Sequence, residues 1–108
     1  MSDILHINDE SFDKAIASGV TLVDFWAQWC GPCRMFGPIF ESAAAKHTGI
    51  RFAKFEIDEG NRRIPAKYGI RSIPAVFAFR DGEVISTKTG LLSDTELEGW
   101  INELGAPQ

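Results

Sequence analysis

Val20-Thr21-Leu22-Val23-Asp24-Phe25-Trp26-Ala27-Gln28-Trp29-Cys30-Gly31-Pro32-Cys33 runs from a nearly continuous apolar stretch straight into two cysteines three residues apart. An apolar run without alternation predicts a strand, Val20 to Trp26, covered on both faces. Beyond the cysteines, Phe36, Ile39, Phe40 and Ala43 recur at helical spacing up to about Lys46, and Thr48-Gly49 closes that helix. The cysteines therefore fall where a strand ends and a helix begins. Pro38, inside the helical pattern, removes the bond to the Arg34 carbonyl and is expected to bend the helix.

Working outward, Ile4 to Ile7 is a short strand candidate, and Asn8 is placed to cap a helix that buries Phe12, Ala15 and Ile16 and ends at Gly19. Ile50 to Ile57 reads as a further strand. The polar stretch Asp58 to Arg63 leads into a short helix ending near Tyr68-Gly69. Ala75 to Arg80 and Glu83 to Thr89 flank Asp81-Gly82, the two-residue signature of a tight antiparallel hairpin. Ser93-Asp94-Thr95-Glu96 is a capping box that opens a helix with Leu97, Trp100, Ile101 and Leu104 as its apolar stripe, ended by Gly105 and Pro107. The order β-α-β-α-β, short helix, hairpin, helix predicts an α/β fold: a central mixed sheet of five strands flanked by four helices.

The 108 residues suffice for one domain over residues 1–108 and are too few for two. A composition of 44% hydrophobic and 24% charged residues is that of an ordinary globular chain able to build a core without disulfide staples. The formal charge of −4 argues against nucleic acid as a main partner, and the interrupted basic residues Arg62, Arg63, Lys67 and Arg71 read as a solvated face. Residues Ser2 to His6 lack the pattern of an export signal, and no apolar run approaches a membrane span. The expectation is a cytoplasmic protein, where paired cysteines are catalytic or metal-binding more often than structural.

A Cys-x-x-Cys pair at a helix start suits disulfide exchange. At helical spacing the two Cβ atoms lie about 5–6 Å apart, so the sulfurs can bond. Cys30, near the helix N-terminus, faces unpaired N–H groups and the positive dipole end, which favour the attacking thiolate. Cys33, one turn in, is expected to be more buried and to make the second attack that resolves a mixed disulfide. Pro32 suits an early helical position and stiffens the ring.

Two other uses compete. A structural disulfide closing so small a ring contributes about 2 kcal/mol, against almost 5 for a 100-residue loop. A zinc site needs four ligands, and only His6 and His47, which read as plain surface residues, could join the cysteines. Asp24 interrupts an otherwise apolar strand. Burial there should raise its pKa, so it needs a partner or a task. Lys54, within Phe52-Ala53-Lys54-Phe55, is the candidate partner. Together they are expected to move the proton of Cys33. The alternative is an edge position in which Asp24 reaches solvent. Pro74 precedes the strand at Ala75, and because only about 5–6% of X–Pro bonds are cis, local physics predicts trans for Ile73-Pro74.

Trp29-Cys30-Gly31-Pro32-Cys33, preceded by Val23-Asp24-Phe25-Trp26-Ala27, resembles the thioredoxin family, as do Lys67-Tyr68-Gly69-Ile70-Arg71-Ser72-Ile73-Pro74, Asp81-Gly82 and Thr89-Gly90. These blocks occur in family order over nearly the whole chain. The resemblance implies the thioredoxin fold and protein disulfide reduction, with Cys30 as nucleophile, Cys33 as resolving thiol and Asp24 as buried acid/base. It implies a cis Ile73-Pro74 bond, with Pro74 tuning the site alongside Gly31 and Pro32. It also implies a flat docking surface of Trp29, Gly31, Pro32, Ile73, Pro74 and Gly90, with Trp26 beneath the site and Trp100 in the core.

The partners implied are disulfide-containing target proteins and a thioredoxin reductase, in the family usually flavin- and NADPH-dependent, acting on a monomer that needs no bound cofactor and no metal. Ala75 stands where threonine commonly follows the proline, Phe36-Gly37 replaces an aliphatic-alanine pair, and Gln28 stands where an acidic residue is frequent. An oxidase or isomerase of the same fold, or a redox-sensing binding module, are the alternatives that the residues leave open.

Overall fold

The computed structural model describes residues 4–105. Its elements are β1 (Ile4–Ile7), α1 (Phe12–Ala15), β2 (Val20–Trp26), α2 (Gly31–Lys46), β3 (Arg51–Glu56), α3 (Arg63–Lys67), β4 (Ala75–Arg80), β5 (Glu83–Thr89) and α4 (Asp94–Glu103). The expected five strands and four helices are present. The role given to Pro107 and the reading of Ser2 and Asp3 lie outside the described residues.

The strands form one sheet in the order β1-β3-β2-β4-β5. β1 and β2 run parallel to β3, while β2/β4 and β4/β5 are antiparallel. β2 is thus the central strand, as its nearly continuous apolar run predicts. Leu22 faces a core built with Phe36 and Phe40 of α2 and Leu97, Trp100 and Ile101 of α4. Val23 and Phe25 face the opposite core, with Phe12, Phe55, Ile64 and Phe79. Asp24, two residues beyond Leu22, shares the α2/α4 face.

The hairpin residues Asp81 and Gly82 have φ of 51° and 89°, the left-handed pair that a two-residue turn with the twist of the strands requires. Asp81 also closes the far end of the sheet: its N–H donates to the Gly19 carbonyl at 3.0 Å, and its Oδ1 accepts the Gly19 N–H at 2.8 Å. In the capping box of α4, the Glu96 N–H donates to Ser93 Oγ at 3.1 Å and the Ser93 N–H to Glu96 Oε1 at 2.8 Å.

Two expectations need correction. Helix α1 is only four residues long and its N-cap is Ser11. Asn8 Oδ1 instead accepts the N–H groups of Glu10 and Ser11 at 3.0 and 2.9 Å, so the side chain forms a local turn in place of a cap. His47 is half-buried at the end of α2, and its Nε2 meets Glu98 Oε1 of α4 at 2.7 Å, which links the two helices. Pro38 is exposed within a helix that continues to Lys46.

Candidate active site at the start of helix α2

Cys30 is the N-cap of α2, and Gly31 and Pro32 fill the first two helical positions. Pro32 fits because an N–H there would have no helical partner. The sulfurs of Cys30 and Cys33 are joined in a disulfide with Cα atoms 5.2 Å apart, within the ordinary spacing of residues one helical turn apart. The Cys33 N–H donates to Cys30 Sγ at 3.2 Å. One of the helix's free amides is therefore aimed at the Cys30 sulfur, where it favours negative charge. Both cysteines are buried, at 5% and 3% relative exposure, so the expected contrast in their burial is small.

The surround comes from three other segments. Trp26 at the end of β2 and Ile73 pack against Ala27, Cys30 and Cys33. Cys30 Sγ lies 3.8 Å from the Ile73 carbonyl oxygen. The Ile73-Pro74 bond is cis, against the local default and as the resemblance implied. The Pro74 carbonyl accepts the Gly90 N–H at 2.8 Å, which brings the loop after β5 to the site. Of the residues assigned to a docking surface, Trp29, Pro32 and Gly90 are exposed, Gly31 and Ile73 are half-buried, and Pro74 is buried. Trp29, 78% exposed, is the most prominent large side chain among them. Arg34 ties the approach loop down by donating from Nη1 to the Gln28 carbonyl at 2.9 Å.

Asp24 is fully buried on the central strand, which removes the edge-position alternative. Neither of its carboxylate oxygens has a hydrogen-bond partner among the described residues. Burial raises its pKa to about 7, with the Lys54 charge pulling in the opposite direction. Lys54, the candidate partner, is in register with Asp24 on β3. Its ammonium, however, pairs with Glu41 Oε2 of α2 at 3.7 Å and sits 5.4 Å from the centre of the Trp26 ring. Glu41 was missed from sequence, because its contact depends on where α2 crosses the sheet. Among the described residues, no three His, Cys, Asp or Glu side chains gather in an arrangement able to hold a metal ion.

The thioredoxin family model matches residues 3–103. The chain belongs to the thioredoxin family. It is 39% identical to a thioredoxin of Haemophilus influenzae over 106 residues, 95% of this chain and 98% of that protein. It is 45% identical to one of Rhodospirillum rubrum over 98 residues, 88% of this chain and 93% of that protein. Among solved structures, a mutant thioredoxin of Halobacterium salinarum superposes with a TM-score of 0.85 at 32% identity, covering 94% of this chain and 89% of the other. A thioredoxin of Malassezia sympodialis does so with the same score and identity, covering 98% and 94%. The fold is the thioredoxin fold. As a family member with a Cys30–Cys33 pair, the protein is a thiol–disulfide oxidoreductase with protein-disulfide reductase activity. Thioredoxin-family membership implies disulfide-containing substrates and a reductase partner.

Proposed function

We propose that Cys30 opens the target disulfide and Cys33 releases the product. The Cys30 thiolate attacks one sulfur of the target, a Cys30–target bond forms, and the other target sulfur leaves and takes up a proton. Asp24 then accepts the Cys33 proton. The Cys33 sulfur attacks Cys30, the Cys30–Cys33 bond forms, and the second target sulfur leaves and is protonated. Two electrons have passed to the target. A thioredoxin reductase returns two electrons and two protons.

The Cys33 N–H donated to Cys30 Sγ carries the order of attack, because it favours the anion on Cys30. A carboxyl with a pKa of about 7 supports the role of Asp24, since it both takes and returns protons near neutrality. Lys54 biases that exchange by its charge. Targets dock as extended segments over Trp29, Gly31, Pro32, Ile73 and Gly90 and along the Pro74 backbone, with Pro74, Gly31 and Pro32 holding the geometry that tunes the couple. The protein acts as a single-domain cytoplasmic monomer, on proteins and not on nucleic acid; among the described residues no helix is long and apolar enough to cross a membrane.

The test is to offer a disulfide-containing protein to Cys33→Ser and Cys30→Ser variants. Cys33→Ser should accumulate a covalent adduct that dithiothreitol releases, while Cys30→Ser should form none. Turnover surviving Cys33→Ser would overturn this division of labour. For direction, a Cys30–Cys33 potential well above the glutathione poise of the cytosol would contradict the reductase reading.

A further inference from the structure

We propose that Glu41 is a positioning residue for the buried acid: it holds the Lys54 ammonium at α2, and through that hold it sets how readily Asp24 keeps its proton. The inference rests on the reading of Asp24 as proton carrier only for its effect on rate.

His6, Lys54, Asp24, Val76 and Lys88 occupy one row across the five strands. Neighbouring strands lie about 4.8 Å apart, so the four-carbon stem of Lys54 has the reach to place its charge beside Asp24 or against the helix. In the structure it takes the helix side. The ammonium meets Glu41 at 3.7 Å and the Trp26 ring at 5.4 Å, and a Cβ at Gly37 would stand 3.5 Å from it. Gly37 and Glu41 are one helical turn apart, so they share a face of α2. The Asp24 oxygens, meanwhile, have no hydrogen-bond partner among the described residues.

Glu41 is exposed, so its own pair with Lys54 is screened and contributes little to stability. Its leverage is positional. Without a carboxylate at 41, Lys54 loses its ion pair to α2, and the Trp26 ring and the Glu56 and Asp58 carboxylates that line the same pocket are what then compete with Asp24 for the ammonium. The other charged or titratable groups around the row are His6 on β1, Glu56 on β3, Asp58 in the loop that follows and Lys88 on β5. The packed residues of β4 and α4, Val76, Leu97, Trp100 and Ile101, are uncharged.

The experiment titrates the Asp24 carboxyl by carbon NMR in the oxidised protein, in which neither cysteine titrates, for wild type, Glu41→Gln, Lys54→Gln and the double variant. Glu41→Gln should lower the Asp24 midpoint by roughly half a pH unit, the size of a weak exposed pair. Lys54→Gln should raise it. In the Lys54→Gln background, adding Glu41→Gln should shift nothing. An unmoved midpoint in Glu41→Gln, or an equal drop with and without Lys54, overturns the proposal; the latter would mean that Glu41 acts directly by its charge.

The pH profile of mixed-disulfide release is measured on the same variants. Glu41→Gln should displace it by the same interval as the Asp24 midpoint. A moved midpoint with an unmoved release profile supports the role of Glu41 and instead overturns Asp24 as the proton carrier.

Discussion

Asp24 carries the largest electrostatic liability in the molecule. The folded protein keeps its proton up to about pH 7, whereas the unfolded chain releases it near the ordinary 3.8. The contribution to stability is therefore full below about pH 4 and is lost as the pH rises toward 7, on the order of 4 kcal/mol in all. Asp24→Asn removes the charge without changing the shape. Its advantage over wild type in guanidinium unfolding should grow by about 2–3 kcal/mol between pH 5 and pH 8, and an advantage equal at both would show that Asp24 is already ionised in the folded state at pH 5 and that burial does not raise its pKa. The oddity of Asp24 is visible in sequence because a carboxylate inside an apolar run violates the pattern. The pairing of Lys54 with Glu41 is not visible, because register fixes which strand residues are neighbours but not which way a flexible lysine turns.

At the scale of elements, boundaries set by apolar runs and by paired caps were legible: β2, β4, β5 and α4 begin and end where their residues predicted. Helix α1 was not, because Asn8 had a competing turn three residues before the cap position. The start of α3 at the end of the Asp58–Arg63 stretch was legible, but what secures it was not. Its Arg63 and Ile64 N–H groups are accepted by Asp9, over fifty residues away, at 3.0 and 2.9 Å. Burial raises the pKa of Asp9, but these backbone bonds and the Arg63 charge outweigh it and leave the pKa lowered. In α2, Gly37 gives up helix propensity with no backbone need for glycine, and an added methyl would make only ordinary contact with Lys54. Gly37→Ala should therefore stabilise the protein by about 0.5–1 kcal/mol, read as a shift in the denaturant midpoint.

Across the whole molecule, the sheet separates two cores that do different work. One face carries α2, and with it the cysteines, over Leu22, Phe52 and Val76. The other is an aromatic cluster centred on Phe12, whose ring lies 5.5–6.3 Å from those of Phe25, Phe55, Tyr68 and Phe79. Phe12→Ala should cost about 3–5 kcal/mol in unfolding experiments, while the rate of target reduction below the new midpoint stays near wild type, because none of these five rings belongs to the cluster that packs around the cysteines. A loss of rate without a loss of stability would contradict that separation. The site itself gathers at the end of the sheet where β2 ends and β4 begins. The Gly19–Asp81 clasp binds the opposite end, next to the start of β2 and the end of β4. A chemical tether placed on the hairpin tip would then turn every sulfur pair away from a bead or an electrode, so an immobilised layer of this protein would present its redox centres to the solution.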